Sequence, residues 1–114
     1  MLTHSYICTD EWLTEEGHVL EPEITDRHPN IFLVLCGHAR EVHRRVKTYE
    51  DGRVLTAVMY NLQGESYYSN GYCVIMQFDP VERSISFTHY SPLFDDYNYY
   101  DDPSVETFVL ENAY

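Results

Sequence analysis

The stretch NIFLVLCGHAREVHRR, residues 30–45, decides how this chain folds. Its apolar run, Ile31 to Cys36, has no polar interruption, the mark of a strand covered on both faces. The run stops at Gly37-His38, and two further residues bring Arg40. A histidine held out on a glycine at the carboxyl end of a buried strand stands where open sheets display ligands.

The chain beyond this point reads as β. EVHRRVKTY, residues 41–49, alternates loosely into the turn EDGR, and VLTAVMYN, residues 54–61, is its hairpin partner. NLQGESYYSNG is a long polar loop. GYCVIMQFD then places Tyr72, Val74, Met76 and Phe78 on one face, and ISFTHYS returns with Ile85, Phe87 and His89 on one side. A meander over residues 42–90 is expected, with VETFVL as a last strand. Upstream, LTHSYI reads as a short strand. Residues 8–30 are polar and acidic with Gly17, Pro22 and Pro29 as breakers, and one short helix is expected over Glu21 to Arg27. The expected class is α+β, a β-rich layer with one short helix.

A chain of 114 residues suits one domain or one half of a larger one, and 44% hydrophobic residues suffice for a core. The expected divisions are residues 1–36 up to the Gly-His turn, the meander of 37–94, and an acidic Tyr-rich tail of 95–114. The net charge of −12 argues against binding a nucleic-acid backbone, where Lys and Arg supply most of the affinity. It also disfavours anionic membrane surfaces. No apolar run approaches the roughly 18–20 residues of a membrane helix, and MLTHSYICTD lacks the pattern of a signal peptide. The acidic segments DEWLTEEGHVLEPEITD and DDYNYYDDPSVE read as solvated surface. Cys36 and Cys73 lie in apolar runs and read as buried thiols, and with Cys8 the three form no CxxC pair.

Of six histidines, His18 and His28 fall in the acidic segment, and His43 and His89 read as plain strand residues. His4 and His38 carry more interest, because imidazole is the commonest metal ligand. Two imidazoles from two strand ends share an ion only where those strands are neighbours. A Cys36–His38 nucleophile pair is a weaker reading, since Cys36 is expected in the core, and Ser5–His4 is a pair of sequence neighbours with no base placed.

The ordered set LTHSYI, NIFLVLCGHAREVHRRV, GRVLTAVMYNLQGE, NGYCVIMQFDP and ISFTHYSP resembles the C-terminal half of bacterial calcineurin-like metallophosphoesterases, over about residues 1–94. The resemblance implies the β-rich half of a two-layer sandwich. It implies that His4 matches the family's lone His ligand and His38 the first His of a Gly-His-x-His turn, both serving one divalent ion (Mn, Fe or Zn) of the full-length enzyme. Arg40 stands where the second His is expected and cannot ligate, because its guanidinium stays protonated. Asn61 and Gln63 match a loop beside the site, so Arg40, Asn61 and Gln63 are the expected substrate-proximal residues. The family's Gly-Asp-x-x-Asp and Gly-Asn-His motifs are absent from these 114 residues, and the letters of its Asp-x-His occur as Asp26-Arg27-His28, within the acidic segment after LTHSYI. Phosphoester hydrolysis is therefore expected of a full-length parent and not of this chain alone. Strands that lack the missing half expose an edge, so a homodimer through the N-terminal strand is expected. The alternative is a non-enzymatic acidic β module that binds a protein or saccharide through loop tyrosines, in SYYSNGY and DDYNYYDD.

Overall fold

The computed structural model describes residues 1–62 and 71–114. Among these described residues, seven strands in two sheets and one short α-helix make the class α+β and mostly β. The chain divides into two compact units, Met1–Asn61 and Leu62–Tyr114, with the division after the second hairpin strand and not at Gly37.

The first unit is a sheet of β1 (Leu33–Cys36), β2 (Glu41–Thr48) and β3 (Val54–Asn61) in the order β1-β3-β2. β2 and β3 form the expected hairpin, turning at Gly52, whose φ of 83° suits a residue without Cβ. β1 runs parallel to β3, Leu33 opposite Thr56 and Cys36 opposite Met59. LTHSYI pairs with β1 only through its first residues: Leu35 N–H donates to Met1 O, Thr3 N–H to Leu35 O, and Gly37 N–H to His4 O. Both edges of β1 are thus hydrogen-bonded, and the apolar strand is not the open edge expected of it. Beyond His4 the chain turns inward, burying Tyr6 and Ile7 completely against Val34, Cys36, Leu55, Ala57 and Met59. Burial of this kind contributes about 1.5–3 kcal/mol per large apolar side chain.

The helix lies earlier than the sequence suggests. α1 spans Glu15–Leu20, capped by Thr14, whose hydroxyl accepts from Gly17 N–H, and a π-helical turn, Glu21–Thr25, continues it. Pro22 sits at the start of that turn, where, having no N–H, it cannot continue the α-helical hydrogen-bond ladder. Gly17 is a contact surface and not a breaker: a Cβ there would lie 2.0 Å from Tyr6 O.

The acidic segment is only partly solvated surface. The Glu21 carboxylate accepts from Arg45 Nη1 at 2.6 Å, Lys47 Nζ at 3.1 Å and Tyr6 Oη at 3.1 Å. Asp26 accepts from Lys47 at 2.7 Å and Tyr49 at 2.6 Å. Alternation in β2 puts Arg45, Lys47 and Tyr49 on the face that meets the helical segment. Burial pushes the Glu21 carboxyl up, and Arg45 and Lys47 outweigh it, leaving the group below its ordinary value. Burial likewise pushes the Tyr6 phenol up.

The second unit holds β4 (Cys73–Asp79), β5 (Ser84–Ser91), β6 (Asp96–Tyr97) and β7 (Phe108–Leu110). β5 is central, antiparallel to β4, β6 and β7. The expected meander is therefore two separate sheets, and the acidic tail folds back on β5. Ile85, Phe87, His89 and Ser91 form its buried face, with Phe87 stacked on Phe108 at 4.6 Å. Tyr72, Val74 and Met76 are half-buried and Phe78 is exposed, because the burial alternation of β4 fades at its end. Cys73 faces solvent, contrary to its apolar setting, while Cys36 is buried as expected.

Candidate functional site

Residues 1–4, β1 and β3 run in one direction, so their carboxyl ends share one edge of the first sheet. His4, His38 and Asn61 stand there. His4 Nε2 lies 2.9 Å from His38 Nδ1, with the rings edge-on and both residues exposed. The two histidines that the sequence separates by 34 positions are thus in direct contact.

His38 is held in an unusual way. Its φ is 70°, in the left-handed region that non-glycine residues rarely adopt. Gly37, the residue expected to supply the sharp turn, has no such φ, and a Cβ on it would meet only ordinary contacts at 3.6 and 3.9 Å. The hinge is therefore His38 itself. Asn61 Nδ2 donates to His38 O at 3.0 Å and anchors that peptide, so Asn61 supports the imidazole. Arg40 is exposed two residues on. Gln63 lies outside the described residues, as do Tyr67 and Tyr68 of the long loop.

Two imidazole nitrogens 2.9 Å apart suit adjacent positions on one ion. Ligands at right angles, each about 2.1 Å from a metal, stand about 3 Å from one another. Among the described residues no group of three His, Cys, Asp or Glu side chains is set to hold an ion. The pair fits part of a metal shell and not a whole one.

Beside it opens a cavity of about 370 Å³, lined by Thr3, His4, Ser5, Glu16, Val19 and Leu20. Glu16 Oε2 accepts from the buried Ser5 hydroxyl at 3.1 Å. Its own backbone N–H and Ser5 hold the Glu16 carboxyl below the usual range, with a smaller contribution from His38. Sequence reasoning passed over Glu16, since it sits in a run of surface acids, and only the packing of α1 brings it here.

Two other histidines have partners that the sequence did not signal. Asp10 Oδ1 contacts His43 Nδ1 at 3.0 Å and accepts from Arg44 N–H at 2.9 Å. In the second unit, His89 Nδ1 lies 3.3 Å from Glu106 Oε2, both residues buried, while Tyr100 N–H donates to Glu106 Oε1 at 2.7 Å. Burial pushes His89 down to about 4 and raises Glu106, so each leans toward its neutral form.

No family model matches the chain, and no solved structure matches it. It is similar to a Bacillus subtilis (strain 168) protein described as Uncharacterized protein YvnB, at 28% identity over 104 residues, covering 86% of this chain. The chain spans 8% of the length of that relative.

Proposed function

We propose that this chain is the C-terminal portion of a calcineurin-like metallophosphoesterase, contributing two ligands to one divalent ion and inactive by itself. The contact between His4 Nε2 and His38 Nδ1 carries the reading. A pair of exposed imidazoles from two parallel strand ends, one on a left-handed backbone, is costly to assemble for packing alone. In a full-length parent the ion would activate a water and polarise a phosphoryl oxygen. His4 and His38 would hold one side of it, and Asn61 fixes the His38 peptide. Arg40, in the second histidine's place, offers a guanidinium suited to phosphoryl oxygens.

The test is complementation. The chain alone with Mn²⁺, Zn²⁺ or Fe²⁺ is expected to leave a nitrophenyl phosphoester intact. Mixed with a polypeptide carrying Asp-x-His and Gly-Asn-His motifs of this family, it is expected to give turnover that His38→Ala abolishes. Turnover by the chain alone, or complementation indifferent to His38→Ala, overturns the reading.

A second reading, an acidic β module that binds through tyrosines, draws on the aromatic cluster of the second unit. Tyr90 packs on Tyr97 at 4.9 Å, and Tyr72, Tyr99 and Tyr100 meet edge-on. Several of these hydroxyls are already engaged: Tyr72 bonds Asp96 and Tyr90 bonds Asp95. Oligosaccharide binding lost in Tyr97→Ala and retained in His38→Ala would favour this alternative.

A further inference from the structure

We propose that the outer face of the second sheet is a binding surface for a neutral oligosaccharide. The proposal rests on the tyrosine-binding reading of the second unit and narrows it to one face and one class of ligand.

Strand register fixes which side chains share that face, because residues directly opposed in an antiparallel pair point the same way. Ile75 stands opposite Thr88, Gln77 opposite Ser86, and Tyr90 opposite Tyr97, while Ser86 also faces Val109 of β7. These residues lie on the side of β5 away from its buried face of Ile85, Phe87 and His89. The apolar and aromatic members are open to solvent: Ile75 is 46% exposed, Val109 51% and Tyr97 58%.

In a chain of net charge −12, this face is neutral. The four strands hold no Lys or Arg and two acids: Asp79 stands at the very end of β4, and Asp96 pairs with Ser91 on the opposite side. A polyanion would be repelled by the acidic chain, and a polycation finds no counter-charge here. What the face offers is the Gln77 amide and the Thr88 hydroxyl beside the Tyr90–Tyr97 ring pair, whose centroids are 4.9 Å apart. From the rim Asp95 accepts from Tyr90 Oη at 2.7 Å and fixes that ring. Sugars suit such a surface, since their C–H faces pack on aromatic rings and their hydroxyls exchange hydrogen bonds with amides and hydroxyls.

Area decides against a protein partner. With strands about 4.8 Å apart and about 3.4 Å per residue, three strands over the length of Cys73 to Gln77 present roughly 250 Å². Each partner in a stable protein interface buries about 800 Å². A short oligosaccharide lying along the strands needs no more than this face provides.

The experiment is a titration of the intact chain with cellohexaose and with chitohexaose, two neutral oligosaccharides, followed by amide chemical shifts. At least one is expected to bind, shifting residues 73–77, 86–90, 97 and 109 and leaving 4 and 38 unmoved. Tyr97→Ala is expected to weaken binding about fivefold, the loss of one packed ring. Tyr99→Ala, whose ring meets Tyr72 and Tyr100, is expected to stay within twofold of wild type. Binding that survives Tyr97→Ala and is lost in Tyr99→Ala overturns the face and leaves the tyrosine reading standing. Binding of neither oligosaccharide overturns the proposal and the saccharide form of that reading together. A wild-type dimer that Ile75→Lys dissociates in sedimentation gives the face to a second copy and overturns the proposal equally. Amide spectra of the variants establish that each is folded.

Discussion

Gly17→Ala is the substitution whose sign separates a packing role from an ordinary helical glycine. In an unconstrained helix the change stabilises by about 0.5–1 kcal/mol, because alanine has less backbone freedom to lose. Here the added Cβ would stand 2.0 Å from Tyr6 O, 3.0 Å from Tyr6 C and 3.2 Å from Leu13 Cβ. The first two are backbone atoms with no rotamer to yield. Tyr6 is fully buried, and its carbonyl accepts from Thr14 N–H at 2.9 Å. Relief therefore requires α1 to move away by about 1 Å or more, and overpacking of this kind costs roughly 1–3 kcal/mol. The net expectation is a loss of about 2 kcal/mol, offset only in part by helix propensity. Urea unfolding followed by far-UV circular dichroism measures it, with a midpoint lowered by about 1 M at ordinary slopes. An alanine variant as stable as wild type, or more so, would show that α1 does not bear on Tyr6.

Glu21→Ala removes the carboxylate that Arg45 and Lys47 share, leaving Lys47 on Asp26 and Arg45 without this anion, and is expected to cost about 2 kcal/mol; a change under about 0.5 kcal/mol by urea unfolding would mean the network is solvent-screened. Because the Glu21 carboxyl is held below its ordinary value, its contribution is present at neutral pH and is lost as pH falls below the ordinary carboxylate range. His89 acts over a different window. Its folded value of about 4 lies below the ordinary 6.5, so the unfolded chain takes up a proton first and stability falls from pH 6.5 to 4, by about 3 kcal/mol in total. Glu106, raised by burial, has the opposite slope: its contribution is present at acid pH and is lost as pH rises through its folded value. In Glu106→Gln the His89 slope is therefore expected to stand alone between pH 4.5 and 6.5 in urea midpoints, and a flat profile there contradicts it. The homodimer is expected to pair through residues 1–4, the outer edge left beside β1, and sedimentation showing a monomer at micromolar concentration refutes it.

The hairpin Glu41–Asn61 was legible almost residue for residue, because its alternation and its Gly52 turn are local signals. So was the buried face of β5. The break between the two sheets was not legible, since strand patterns carry no record of which strand pairs with which. α1 was misplaced because Gly17 and Pro22 look like breakers, and their fit depends on Tyr6 and on a π-helical turn that no local pattern encodes. The contact of His4 with His38 followed from the family resemblance and not from spacing. Glu16, Glu21 and Glu106 were hidden for one reason: an acid in an acidic chain is indistinguishable from surface until its neighbours are known.

The parallel docking of residues 1–4 on β1 has a consequence in time. The Glu41–Asn61 hairpin closes a short loop, whereas His4 meets His38 only after 33 intervening residues have been folded into place. The hairpin can form early and on its own, while the histidine contact waits for non-local closure. The same asymmetry runs backward. The bonds Thr3 N–H to Leu35 O and Gly37 N–H to His4 O lie at the periphery of the sheet, those of β3 at its centre. Hydrogen exchange should therefore report Thr3 and Gly37 opening well before Ala57 and Met59. Within the first sheet the imidazole pair is then expected to form after the hairpin and to open before it.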